Sequence, residues 1–202
     1  MSLTILQQIA EKRRSIYSLN KNLPISNAEI IQLTEHTLKH TPSAFNSQST
    51  RLVVLFGAEH EKLWEMTSKI LHNIINNDEA FTVTNAKING FKAGAGTILF
   101  FEDKSVVSRL QAQYPSYASN FPIWSGHASA MHQYAIWTAL TAVDVGANLQ
   151  HYNPIIDEQV MQTWQINPDW QLVAQMVFGG IAGDANEKQF EPIENRMQVF
   201  GN

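Results

Sequence analysis

The chain has 202 residues, 44% of them hydrophobic and 16% charged, which suits one globular domain over residues 1–202 with a sizeable core. A net charge of −4 argues against a nucleic-acid partner, because that recognition rests on a basic field. The absence of cysteine removes disulfides, thiolate nucleophiles, iron–sulfur clusters and cysteine zinc sites together.

The N-terminus, MSLTILQQIAEKRRS, puts scattered apolar residues before its basic cluster, the reverse of a secretory signal. Residues 4–14 read as a helix with Leu6, Ile9 and Ala10 on one face. Ser26 followed by Glu29 is a capping box and predicts a helix over 27–39, stopped before Pro42. Arg51–Gly57 is a short β-branched apolar run, read as a buried strand. Glu59–Asn76 is helical, with Leu63, Met66, Ile70, Ile74 and Ile75 inward. Gly96–Asp103 is a second buried strand, Ser105–Gln113 a short helix, and Pro115–Ser125 an aromatic-rich loop with some helix. Gly126–Val145 is apolar nearly all round, as expected of a central helix covered on most sides. Asp144 and the other polar residues between Ala128 and Leu149 argue against a membrane span, so a cytoplasmic enzyme is the expectation. Asp157–Gln165 is a further helix, Trp170–Gly179 a third strand and Arg196–Phe200 a short terminal strand, free to cross to a partner subunit. Helices interspersed with strands define an α+β or mixed α/β chain around a central sheet.

Four constellations carry candidate chemistry. Arg13-Arg14-Ser15 offers two guanidinium forks and a hydroxyl, a set that suits a phosphate, or alternatively a solvated helix end. Pro42–Gln48 brings Ser43, Asn46, Ser47 and Gln48 into one loop, either to read a heterocycle edge or to satisfy its own turn. Leu149, Gln150, His151, Tyr152 and Asn153 follow the central apolar helix, with Gly146 read as that helix's stop. Polar groups beside a core need partners, so a ligand-facing and a structural role for His151 stay level. Phe178–Phe190 contains Gly179, Gly180 and Gly183 after a strand, but no helix follows, so the dinucleotide fingerprint fails; Lys188 is a cation in a neutral loop. His36 and His40 stand four apart without a metalloprotease pattern and read as a solvated face.

Taken in order, these segments resemble the nitroreductase family of FMN enzymes, in particular its small branch related to fatty-acid-repression proteins. The likeness runs through Arg13–Ser15, Pro42–Gln48, Gly96–Phe101, Trp137–Leu140, Leu149–Asn153 and Glu187–Glu194, nearly the whole chain. It implies a nitroreductase-like α+β fold, a central mainly antiparallel sheet surrounded by helices, in a domain-swapped homodimer with FMN at the interface. It also implies that Arg13, Arg14, Ser15 and Lys188 hold the phosphate end, with Tyr17 nearby. Ser43, Asn46 and Gln48 then approach the flavin from the other subunit, and Leu149, Gln150 and His151 lie along the ring. Lys87 or Asn85 falls near the pyrimidine end. The chain departs from the family pattern where Tyr17 and Phe190 replace basic residues.

The implied activity passes electrons from NADH or NADPH through FMN to a nitroaromatic, quinone or similar small-molecule acceptor in a two-step flavin cycle. No catalytic side chain and no metal is required. The alternative is a flavin- or lipid-responsive regulatory protein of the same fold with little turnover.

Overall fold

A computed structural model describes residues 3–201. Its elements are α1 (Leu3–Lys12), β1 (Leu19–Asn20), α2 (Asn27–His40), β2 (Thr50–Phe56), α3 (Gly57–Ile75), α4 (Asp78–Lys92), β3 (Gly96–Asp103), α5 (Lys104–Gln113), α6 (Phe121–Ala142), β4 (Val145–Gln150), α7 (Asp157–Thr163) and β5 (Trp170–Ile181). The expected capping box opens α2: Ser26 Oγ accepts from the Glu29 backbone N–H while the Glu29 carboxylate accepts from that of Ser26.

All named strand pairs are antiparallel: β2 on β3, β3 on β5, and β4 on the other edge of β5. The short β1 pairs with the end of β5 beyond β3. The fold is therefore α+β with an antiparallel central sheet, as the resemblance implied. Strand alternation divides the core between the two faces. Leu99 and Phe101 pack with Leu63, Trp64 and Phe91 beneath α3 and α4. Ile98 and Phe100 pack with Ile30, Ile136, Leu140 and Phe178 beneath α2 and α6.

Several boundaries differ from the sequence reading. Helix α4 was not expected; Asn77 caps it by accepting from the Ala80 N–H at 2.9 Å. Helix α6 begins at Phe121, with Pro122 in its first turn, inside the segment read as loop. It ends at Ala142, and the left-handed Asp144 (φ 58°) turns the chain straight into β4. Gly146 is thus a strand residue rather than a helix stop. A Cβ there would lie 2.8 Å from Leu19 and 2.9 Å from Ile181, so glycine permits β4, β1 and β5 to close.

The expected terminal strand Arg196–Phe200 is absent from the sheet. Beyond Ile181 the tail is exposed apart from half-buried Gly183 and Ala185, with a single 3-10 turn at Ile193–Asn195. A strand needs an edge to pair with, and the tail meets none in its own chain. The central helix is also less covered than expected: Ile123, Met131 and Tyr134 on α6 are exposed, as is Ile74 on α3. Among the described residues no helix is long and apolar enough to cross a membrane.

Candidate functional site

The basic triplet follows the end of α1 and is carried to the outer edge of β4. Ser15 forms a parallel β-bridge with Ala147, and the Ile16 N–H donates to the Ala147 carbonyl at 2.9 Å. Asn148, fully buried, donates its Nδ2 to the Ile16 carbonyl at 2.8 Å and accepts from Gln150 Nε2 at 2.8 Å. The R-R-S and L-Q-H segments are therefore neighbours. Farther on, Ala182 N–H donates to the Ser18 carbonyl at 2.9 Å, which brings the start of the tail back to the same place.

Arg13, Arg14, Ser15, Tyr17, Asn186, Glu187 and Lys188 line one cavity of about 240 Å³ there. Arg14 donates to the Asn186 carbonyl and so braces the tail. The Arg13 guanidinium lies 4.6 Å above the Trp137 ring and 5.9 Å from that of Tyr134. Its Nε is buried without an acceptor. Lys188 Nζ rests 4.8 Å over the Phe190 ring. Among the described residues neither arginine nor Lys188 forms an ion pair, whereas neighbouring Lys12 is paired with Asp144 at 2.5 Å. Three unpaired cations and two hydroxyls face a single carboxylate, Glu187. Such a cavity favours a small polyanion, for which the guanidinium groups, the Lys188 ammonium and the two hydroxyls are donors. The residues fit the phosphate end of FMN.

At the end of β4, Leu149 is half-buried and His151 exposed, but Gln150 is buried with its amide tied to Asn148. The Tyr152 N–H donates to Gln175 Oε1 at 2.8 Å, and Asn153 donates to the Leu172 carbonyl at 2.8 Å. Much of this polar run is therefore structural, leaving Leu149 and His151 to meet solvent or a ligand.

The second constellation stays apart from the first within one chain. Ser43 Oγ accepts from the Gln48 N–H at 3.0 Å, and Gln48 Nε2 donates to the Asn46 carbonyl at 3.3 Å, so the loop closes on itself. Phe45, Asn46 and Gln48 all hold positive φ (56°, 49° and 49°). Gln48 lines a separate cavity of about 580 Å³ with Glu35, Lys39, Arg51, Arg109 and His132. Lys87 and Asn85 stand on α4, with Lys87 exposed 5.7 Å from the Phe91 ring, and neither lines the Arg13 cavity. The rings of His36 and His40 lie 4.5 Å apart, tilted by 44°, on the exposed face of α2.

Two groupings escaped the sequence reading. Buried Glu102 accepts from Ser49 (2.5 Å), Thr50 (2.5 Å) and Ser125 (2.7 Å), and Thr50 Oγ1 lies 3.2 Å from buried His132 Nδ1. No local spacing announces this set, because its members come from β2, β3, α6 and the preceding loop. The other is an aromatic cluster in which Phe45 meets Tyr114, Tyr117, Phe121 and Trp124. The aromatic density of 114–124 was the available signal.

Antiparallel sheet, covering helices and a cation-lined cavity beside β4 define the α+β class of the protein and its candidate site. The nitroreductase family model matches residues 10–180, and the chain belongs to the nitroreductase family. It is 35% identical to HBN1 of Saccharomyces cerevisiae over 190 residues, 93% of each chain. Nitroreductase CinD from Lactococcus lactis, solved in complex with nicotinic acid, is 42% identical with a TM-score of 0.91, covering 97% of this chain and 100% of that one. The same enzyme has been solved in complex with 4-nitrophenol, at 41% identity, a TM-score of 0.90 and the same coverage. A Desulfovibrio desulfuricans structure in complex with FMN, 16% identical with a TM-score of 0.69 and full coverage of both chains, shares the fold.

Proposed function

We propose that this protein is an FMN-dependent oxidoreductase that takes electrons from NADH or NADPH and delivers them to a nitroaromatic, quinone or similar acceptor. The observation that carries this reading is the convergence of Arg13, Arg14, Ser15 and Lys188 on one cavity at the edge of β4. Those residues would hold the FMN phosphate, with the Tyr17 hydroxyl at the rim and the Arg14–Asn186 contact keeping the tail closed over it. Leu149, Gln150 and His151 would lie along the flavin ring, with Gln150 acting through the position it gives β4 rather than through a free amide. Lys87 is assigned to the pyrimidine end by the resemblance alone. When bound, FMN supplies the redox chemistry, accepting hydride from the nicotinamide and passing two electrons to the acceptor. The protein's share is to bind, orient and screen. The nicotinic acid and 4-nitrophenol complexes of CinD support a protein that binds small flat rings.

The working unit is a homodimer, in which Ser43, Asn46 and Gln48 of one chain approach the flavin of the other. Three features support it. The outer edge of β2 is unpaired, and Ile123, Met131 and Tyr134 leave one face of α6 open. The tail carries Phe190, Ile193, Met197, Val199 and Phe200 at 59% exposure or more. Exposed apolar surface on that scale belongs against a partner, and an unpaired edge accepts a strand.

Steady-state oxidation of NADH and NADPH with a soluble quinone tests the reading. Turnover well above that of an equal concentration of free FMN is expected. A flavin-loaded protein with no rate above that background would instead be a regulatory member of the fold.

A further inference from the structure

We propose that Trp137 is a positioning residue for the phosphate end of FMN. It lies outside the cavity, yet its ring holds the Arg13 guanidinium at the cavity wall. The inference rests on the FMN reading above, which puts the phosphate in that cavity.

The two arginines of the triplet are held in different ways. Arg14 donates to the Asn186 carbonyl, whereas the Arg13 side chain makes no hydrogen bond among the described residues. Nor does its own helix fix it. The Arg13 N–H closes the last turn of α1 on the Ile9 carbonyl at 2.9 Å, but only Ile9 is half-buried between residues 4 and 12 and the others are exposed. What the guanidinium does meet is α6. Its Cζ lies 4.6 Å from the Trp137 ring centroid and 5.9 Å from that of Tyr134, three residues earlier on the same face. A cation at that range is attracted by the ring quadrupole, most strongly over an indole. Because that contact engages no hydrogen-bond acceptor, the Nη donors of Arg13 remain free for a phosphate in the cavity that it lines.

Trp137 is itself placed by the fold. It is half-buried and packs against the cluster that contains Ile30, Ile136 and Leu140. Its Nε1 is buried without an acceptor. Burying an unpaired N–H is unfavourable, and a phenyl or aliphatic side chain would fill the space without one. The broader indole face, turned to a cation, accounts for the choice of residue.

Equilibrium dialysis measures the FMN Kd of the full chain for the wild type, Trp137→Phe and Trp137→Met, each also combined with Arg13→Ala. Trp137→Met keeps an adaptable apolar side chain against the core without a π face, and it should weaken FMN by about tenfold. Trp137→Phe keeps a smaller face and should weaken it by about threefold. With Arg13→Ala both effects should vanish, because the ring then has no cation to place. An unchanged Kd in Trp137→Met overturns the proposal. So does an equal loss with and without Arg13, which would mean that the ring acts through the packing of α6. Should Trp137→Met not fold, the phenylalanine variants decide by the same comparison. A wild type that takes up no FMN contradicts the proposed function instead. Calorimetry of the same set with inorganic pyrophosphate then decides on Trp137, and a protein that binds neither overturns both.

Discussion

Ser15 and Ala147 are bridged across a parallel contact, with the next N–H, that of Ile16, bonded to the Ala147 carbonyl at 2.9 Å. This contact makes the position of the basic triplet depend on β4. It also brings two motifs far apart in sequence side by side.

Asn148 secures that contact from inside, so Asn148→Ala is expected to act at a distance. Removing it leaves the Ile16 carbonyl and the Gln150 amide without their partner in a buried setting, a loss of about 1–3 kcal/mol in stability. FMN affinity should fall as well, although Asn148 does not line the cavity. Thermal melts paired with flavin titration check this. Lost stability with unchanged FMN affinity would separate the β4 tie from the site.

The double substitution Arg13→Ala with Lys188→Ala removes two of the three cations from the cavity. Charge-assisted hydrogen bonds contribute about 1.5–3 kcal/mol each, so FMN affinity should weaken by a factor of about 100 or more. Equilibrium dialysis gives the number. Full flavin loading of the double variant at stoichiometric FMN would falsify the phosphate assignment.

Much of the fold was legible because its signals are local. The Ser26–Glu29 box, the β-branched run at 51–56 and the apolar run at 96–103 each declare their element within a few residues. Strand β4 was hidden because Val145–Gln150 is short and carries Gly146 and Asn148, residues poor in strands. They are there to allow close packing and to hold Ile16, which only the tertiary structure reveals. The expected strand at Arg196–Phe200 has a strand's composition but pairs with no strand of this sheet, which composition alone does not reveal. At the candidate site, the basic triplet and Lys188 were readable as charge. The reach of Gln48 into a different cavity, and the engagement of the Gln150 amide by Asn148, were not, since both depend on three-dimensional neighbours.

Stability should decline in mild acid through His60. That residue is fully buried, with Nδ1 2.8 Å from Thr97 Oγ1 and Nε2 3.3 Å from the Lys92 carbonyl. Burial holds its pKa down from 6.5 to about 4. Between those values the unfolded chain binds a proton that the folded chain refuses. The contribution is therefore complete above pH 6.5 and is lost as pH falls toward about 4, up to roughly 3 kcal/mol. Denaturant midpoints of the wild type and of His60→Gln across this range provide the check. The wild type should lose more stability than the variant; equal slopes would mean that His60 titrates normally in the fold.

Charging the exposed tail should disrupt the proposed dimer. Val199→Glu with Phe200→Glu alters side chains that are 59% and 87% exposed and touches nothing in the core of one chain. Analytical ultracentrifugation should find the wild type dimeric and the double variant shifted toward monomer. A monomeric wild type, or a variant that dimerises as tightly, would remove the tail from the interface.

The most direct test of the central claim is the visible absorption spectrum of the purified protein, with its released chromophore identified by chromatography. A flavin spectrum from FMN, lost in the Arg13→Ala, Lys188→Ala variant, is the predicted result. A colourless protein that does not take up added FMN would contradict the account, because the cavity at Arg13, Arg14, Ser15 and Lys188 would then hold some other anion.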